Sequence, residues 1–148
     1  MALDAGLVGR SYPPSAVYEV GRAKIAEFAA ALGETDPVHR DPAAARALGH
    51  PDVIAPPTFA IVVTLGAADV VLADPDVELD YSRVVHGEQK FVHHLPIVAG
   101  DQLVAVLNVD AIRSAGGHSM VVLRTEISDV AGAAVAQMVV SEDTIDRG

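Results

Sequence analysis

Pro56-Pro-Thr-Phe-Ala-Ile-Val-Val-Thr-Leu-Gly-Ala-Ala-Asp-Val-Val-Leu-Ala-Asp74 is a mostly apolar stretch, and its reading decides the fold. Phe59, Ile61, Val62, Val63, Leu65, Val70, Val71 and Leu72 are spread around it, with small alanines between. A surface helix keeps its apolar residues on one stripe; a helix that is apolar all round belongs in a core. Pro57 suits a first helical turn and Thr58 can cap one. Pro75 lies just beyond the far end. Val and Ile also favour strands, so a buried strand followed by a loop competes with the helix. The length of the segment favours the helix, predicted over Thr58–Ala73. It is too short for a membrane span, and Thr64 and Asp69 interrupt it.

A buried helix needs a wrapping, and the chain beyond it supplies strands. Arg83–His94, Gln102–Ser114, His118–Asp129 and Ala134–Asp143 read as four strands, the second with clear alternation at Leu103, Ala105, Leu107, Val109 and Ala111. The turns at Ala115-Gly116-Gly117 and at Gly132 are hairpin signals, which points to a mostly antiparallel meander. The expected architecture is α+β: a long central helix wrapped by a curved antiparallel sheet. Asp76–Ser82 reads as a loop.

Upstream, residues 1–16 look irregular because Pro13-Pro14 cannot join a regular ladder. Tyr18–Val20 fits a short strand. Ile25, Phe28, Ala29 and Leu32 recur at helical spacing over Arg22–Leu32, and Gly33 suits the position just past a helix end. Asp41-Pro42 opens a short helix to Leu48, with Asp41 as cap. No repeat, linker or low-complexity run divides the 148 residues, so residues 1–148 are expected to form a single domain.

Composition removes several classes of function. Ten basic residues stand against twenty acidic ones, a net charge of −10, and this argues against nucleic acid as a partner. There is no cysteine, so neither a disulfide framework nor a thiolate zinc site exists. The first residues show no charged-then-apolar signal, and a cytoplasmic protein that neither enters nor binds a membrane is expected. Adjacent His93 and His94 point to opposite faces of a strand and make a poor metal pair, so no metal is expected. No phosphate-binding glycine pattern appears.

The sharpest chemical feature is the loop Gly33–Asp41. It places Glu34 and Asp36 near His39, immediately after a helix, on a segment stiffened by Pro37. A carboxyl and an imidazole can share acid and base roles at neutral pH. Solvated polar residues after a helix are equally an ordinary loop.

The stretch Phe28-Ala-Ala-Ala-Leu-Gly-Glu-Thr-Asp-Pro-Val-His39-Arg-Asp41 resembles the Gly-Asp-x-Asn-Pro-hydrophobic-His motif of the MaoC-like hot-dog superfamily. Ile54-Ala-Pro-Pro-Thr-Phe59 resembles the start of that family's central helix. Val85–Phe91 and Pro96–Asp101 resemble segments of its N-terminal, FAS1-like dehydratase type. The likeness runs from about Leu7 to Ser141 and is nearest to the small subunit of actinobacterial (3R)-hydroxyacyl-ACP dehydratases. It implies a hot-dog fold and a hydro-lyase that interconverts (3R)-3-hydroxyacyl and trans-2-enoyl thioesters in fatty-acid metabolism, alone or with a partner subunit. It implies an acyl-CoA or acyl-ACP substrate, no cofactor, and a homodimer or a heterodimer with a second hot-dog chain.

Carried over residue by residue, His39 matches the catalytic histidine, Glu34 the catalytic aspartate with one extra methylene, and Asp36 a position usually held by asparagine. The family's His-Gly pair at the helix start is Pro56-Pro57 here, and Pro57 has no N–H to offer a thioester carbonyl. Thr58 is the substitute donor, and His86 is a candidate for substrate binding. Two alternatives follow from these departures: a non-catalytic acyl-chain-binding subunit of a heterodimeric dehydratase, and a hot-dog acyl-CoA thioesterase.

Overall fold

The computed structural model describes residues 4–77 and 80–145. The sequence reading of Asp76–Ser82 therefore falls partly outside the described residues, at positions 78 and 79. In chain order the regular elements are β1 (Tyr18–Glu19), α1 (Arg22–Ala31), α2 (Pro42–Ala47), α3 (Ala60–Leu72), β2 (Val84–His93), β3 (Gln102–Ala115), β4 (His118–Asp129) and β5 (Ala134–Ile145). Short 3-10 turns precede several of them, at Ala5–Leu7, Pro37–His39, Pro57–Phe59 and Tyr81–Arg83.

The strands form one five-stranded antiparallel sheet in the order β1-β3-β4-β5-β2. β3, β4 and β5 are a meander, as the glycine turns predict. Gly116 and Gly117 both have positive φ, the backbone that a two-residue hairpin turn requires. β2 departs from the meander. It does not pair with β3, its neighbour in sequence, but lies on the far side of β5 as an edge strand. The loop between β2 and β3 carries the chain back across the end of the sheet. Its Ile97–Ala99 stretch hydrogen-bonds to Val53–Ala55, the segment entering α3.

The sheet curls around α3. Phe59, Ala60, Val63, Ala67 and Val71 face it and join Leu103, Ala105, Leu107, Val109 and Ile127 in one apolar cluster. Phe59 is fully buried and meets Phe28 of α1 and Tyr18 of β1 edge-on, at centroid distances of 5.4 and 6.4 Å. The central segment is thus a helix, and the strand alternative is excluded.

Burial all round does not hold, however. Leu65 and Leu72 are 60% and 51% exposed, and Asp69 between them is exposed as well. A single curled sheet covers one side of a helix and leaves the other open. The start also differs from Thr58–Ala73. Two successive prolines withhold their N–H groups, so the chain enters through a tight 3-10 turn, and no side chain, Thr58 included, caps it. In α1, Ile25 and Ala29 are buried, but Leu32 is 55% exposed because the helix ends at Ala31 and Gly33 turns the chain away with φ +72°.

The N-terminal segment, irregular as expected, lies along β3. Gly9, Tyr12 and Ser15 donate to the carbonyls of Val109, Leu107 and Ala105. Arg10 and the Tyr12 hydroxyl both reach Asp74 at the far end of α3, each at 2.7 Å.

Candidate active site

The site is built where three segments meet: the loop after α1, the entry to α3, and the turn after β2. Val53–Ala55 threads between the other two. Ile54 donates to the Val38 carbonyl on one side, and Ala55 donates to the Ile97 carbonyl on the other. The loop after α1 closes into the 3-10 turn Pro37–His39, whose start is capped by Asp36: the Val38 N–H donates to Asp36 Oδ1 at 3.0 Å. This turn folds Val38 and His39 inward, leaving Glu34, Thr35 and Asp36 in solvent.

His39 is only 7% exposed. Its Nδ1 lies 2.7 Å from the Ile54 carbonyl oxygen. A carbonyl can only accept, so Nδ1 carries the proton and Nε2 is left as the basic nitrogen of the neutral ring. The ring borders a cleft of about 350 Å³ lined by Ile54, Pro56 and Pro57 at the α3 entry and by His93, His94 and Leu95 after β2. Apart from three imidazoles the lining is apolar or proline.

The two carboxylates that the sequence sets beside His39 make their hydrogen bonds within their own loop. Glu34 Oε1 accepts from the Thr35 and Asp36 N–H groups at 3.0 and 3.1 Å, while Asp36 caps the turn. Arg40 donates to the Glu34 carbonyl and closes the same loop. Neither carboxylate lines the cleft, and both are exposed. Thr58 is exposed in the turn just past Pro57. Pro57 supplies no N–H there, so the donors at this helix start begin at Thr58.

His86 is not at this cleft. It sits on β2 with Nδ1 3.9 Å from Glu142 and borders a second groove, of about 210 Å³, between α3 and the sheet. Ile61, Thr64, Leu65, Val71 and Met138 are among the residues that line it. Sequence reasoning missed His93 and His94 as site residues. Their adjacency sends them to opposite faces of an ideal strand, but β2 ends at His93 and the chain turns there, which brings both to one cleft. Among the described residues, no group of three or more His, Cys, Asp or Glu could hold a metal ion. No helix among them is long and apolar enough to cross a membrane.

A long helix in a curled antiparallel sheet is the hot-dog fold. One chain of the C-terminally truncated HadBC (3R-hydroxyacyl-ACP dehydratase) complex from Mycobacterium tuberculosis superposes with a TM-score of 0.82 at 26% identity, over 93% of this chain and 96% of that one. A MaoC-like dehydratase superposes with a TM-score of 0.80 at 32% identity over 98% of this chain, which spans 44% of that longer one. Residues 6–138 match the FAS1-like, dehydratase domain region, and the chain belongs to that family. Among its relatives is a UPF0336 protein of Saccharopolyspora erythraea, 54% identical over 132 residues, or 89% of this chain and 85% of that protein.

Proposed function

We propose that this chain is a subunit of a (3R)-3-hydroxyacyl-thioester dehydratase, working in reverse as an (R)-specific enoyl-thioester hydratase on an acyl-CoA or acyl-ACP. The observation that carries the reading is His39: buried, tied at Nδ1 to the Ile54 carbonyl, and bordering a cleft at the start of α3.

Elimination needs a base for the proton next to the thioester carbonyl, an acid for the departing hydroxyl, and donors for the enolate oxygen. His39 Nε2 is the base. The Thr58 N–H, at the positive end of α3, is the oxyanion donor. The carboxylate of Glu34 or Asp36 is the candidate acid, and both residues hold the turn that presents His39. The 148 residues act as one hot-dog domain and pair with a second such domain, their own copy or a partner. Edge strand β2 and the exposed Leu65, Leu72, Val85 and Val92 support an interface on that side.

A second reading has support of its own. The groove between α3 and the sheet is apolar, with His86 and Glu142 at its polar part, and Pro57 lacks the N–H that would polarise a thioester. On that reading the chain holds an acyl tail and the partner carries most of the turnover.

The experiment is an assay of crotonyl-CoA with the purified chain, alone and co-expressed with a neighbouring hot-dog subunit, following both hydration and release of free CoA thiol. Hydration to (3R)-3-hydroxybutyryl-CoA by the chain alone supports the first reading. Hydration only in the complex, insensitive to loss of His39, supports the second. Thiol release without hydration would make the protein a thioesterase and overturn both.

A further inference from the structure

The open side of α3 is an apolar seam with one charge in it. Val62, Leu65, Asp69 and Leu72 follow one another at alternating three- and four-residue steps, which sets them in one line along the helix. Leu65 and Leu72 are more than half exposed. Asp69 between them is exposed too, and its carboxylate has no hydrogen-bond or ion-pair partner among the described residues. Such spacing is how one helix presents itself to another, and a polar residue at a single position of the seam sets which partner fits. Room for a second helix lies alongside. Leu65 and Leu72 also border the groove of about 210 Å³ between α3 and the sheet, and His86 on its other wall belongs to the edge strand β2.

An identical copy is a poor occupant. In a two-fold pair each copy offers the same seam, and this seam holds no base. Whatever the register, Asp69 would meet apolar side chains or a second carboxylate. The basic groups at the adjoining edge of the sheet already face carboxylates: Arg83 meets Asp80 at 3.7 Å, His86 meets Glu142 at 3.9 Å and Lys90 meets Glu88 at 3.4 Å. Both copies would also carry a net charge of −10. A charge buried with no partner is strongly destabilising.

We infer that Asp69 selects the partner: the open side of α3 takes a helix of an unlike hot-dog chain, one that sets a lysine or arginine against Asp69 and apolar residues against Leu65 and Leu72. The inference rests on the reading that this chain pairs with a second hot-dog domain, and it decides between a copy and an unlike chain. A basic partner also meets this acidic chain faster, because the opposite charges steer the encounter. Salt then acts with opposite sign on the two assemblies. It screens the attraction within the unlike pair and weakens it; it screens the repulsion between two copies and strengthens their association. Asp69 stands in the second half of α3, away from the His39 cleft, so exchanging it leaves the proposed chemistry in place.

The test reads assembly by sedimentation over a range of protein and salt concentrations, for the full chain alone and with the hot-dog subunit co-expressed for the crotonyl-CoA assay. Wild type alone should self-associate weakly, and more strongly as salt rises. Asp69→Leu completes the apolar seam and should tighten self-association by about 10-fold or more. Asp69→Lys should weaken the complex with the co-expressed subunit by about 10-fold or more, and Asp69→Asn by less. Salt should weaken the wild-type complex, a measurement that needs no variant to fold. A wild type that dimerises with itself as tightly as Asp69→Leu, or a complex that Asp69→Lys and salt leave unchanged, overturns the role of Asp69 and leaves the pairing reading standing. A wild type that stays monomeric and binds no hot-dog subunit overturns both.

Discussion

The two ends of α3 are built on opposite principles. At the far end a side-chain clasp holds the helix to the N-terminal segment. Asp74 accepts from the Arg10 guanidinium, the Tyr12 hydroxyl and the Asp76 N–H, and Arg10 reaches Asp76 as well. The helix carbonyls there are met by Ala73 and Asp74 N–H groups. At the start no side chain caps the turn, two prolines take its first positions, and a cleft opens beside it. Here the 3-10 turn supplies a backbone bond, Phe59 N–H to the Pro56 carbonyl, and Thr58 stays exposed. The stapled end anchors the N-terminal segment, and the open end faces the proposed substrate. On the proposed function, stability and chemistry occupy separate ends of one helix, which substitutions can break one at a time.

The largest effect is expected from the packing that joins the two ends. Phe59 is fully buried between Phe28 and Tyr18. Phe59→Ala should cost about 3–5 kcal/mol, the usual range for a lost core aromatic, read as a drop in denaturant midpoint. A loss under about 1 kcal/mol would mean that α3 is not anchored at its start by this cluster. Next, Pro57→Gly returns one N–H to the helix start. Loss of an oxyanion donor typically costs about 10²–10³ in rate, so this variant should hydrate crotonyl-CoA faster than wild type. A slower variant, with its melting temperature retained, would separate the helix start from the oxyanion.

At the stapled end, Asp74→Asn should lower the melting temperature and leave the kcat of the assembled enzyme alone. A fall in kcat at constant fold would show that the ends are coupled. Acid should act on the same clasp. The Tyr12 hydroxyl first, then the Asp76 N–H and Arg10, hold Asp74 below its ordinary carboxylate value. A depressed folded value means that this stabilisation is complete above the unfolded value of about 3.9 and is lost as pH falls through the folded one. In the other direction, burial first and then Asp74 push Tyr12 up to about 12. That contribution is whole below about 10, the unfolded value, and disappears as pH rises through the folded one. Asp74→Asn should flatten the stability profile at both limbs; an unchanged acid limb would assign the loss elsewhere. The smallest effect is expected from Arg22→Ala. Its bond to Asp52, the first cause holding that carboxyl at about 2, is solvent-exposed, and exposed pairs contribute little. The melting temperature should move less than in Asp74→Asn.

Much of this was legible in the sequence because periodicity and turn chemistry are local. The length of the run from Phe59 to Leu72 favoured a helix over a strand, and Gly116-Gly117 signalled a hairpin turn. What escaped was nonlocal. Nothing near Val84 says that β2 pairs with β5 rather than β3, since that register is fixed by strands yet to come. Nothing near Leu65 says that the sheet stops short of it. At the site, the sequence singled out His39 in a polar loop stiffened by Pro37, and the structure folds that segment into a turn. Spacing also set Glu34 and Asp36 beside it, where the structure gives them to the loop backbone. His93 lies more than fifty positions downstream, and only the closing of the sheet brings it to the same cleft. The Arg10–Asp74 clasp was missed for the same reason.

The most direct test of the central claim is His39→Ala, assayed for stereospecific hydration of crotonyl-CoA beside wild type in the same assembly. The account predicts a loss of about 10²-fold or more in kcat with (3R)-3-hydroxybutyryl-CoA as the wild-type product. Full activity in His39→Ala would contradict it and place the chemistry on another chain or another cleft.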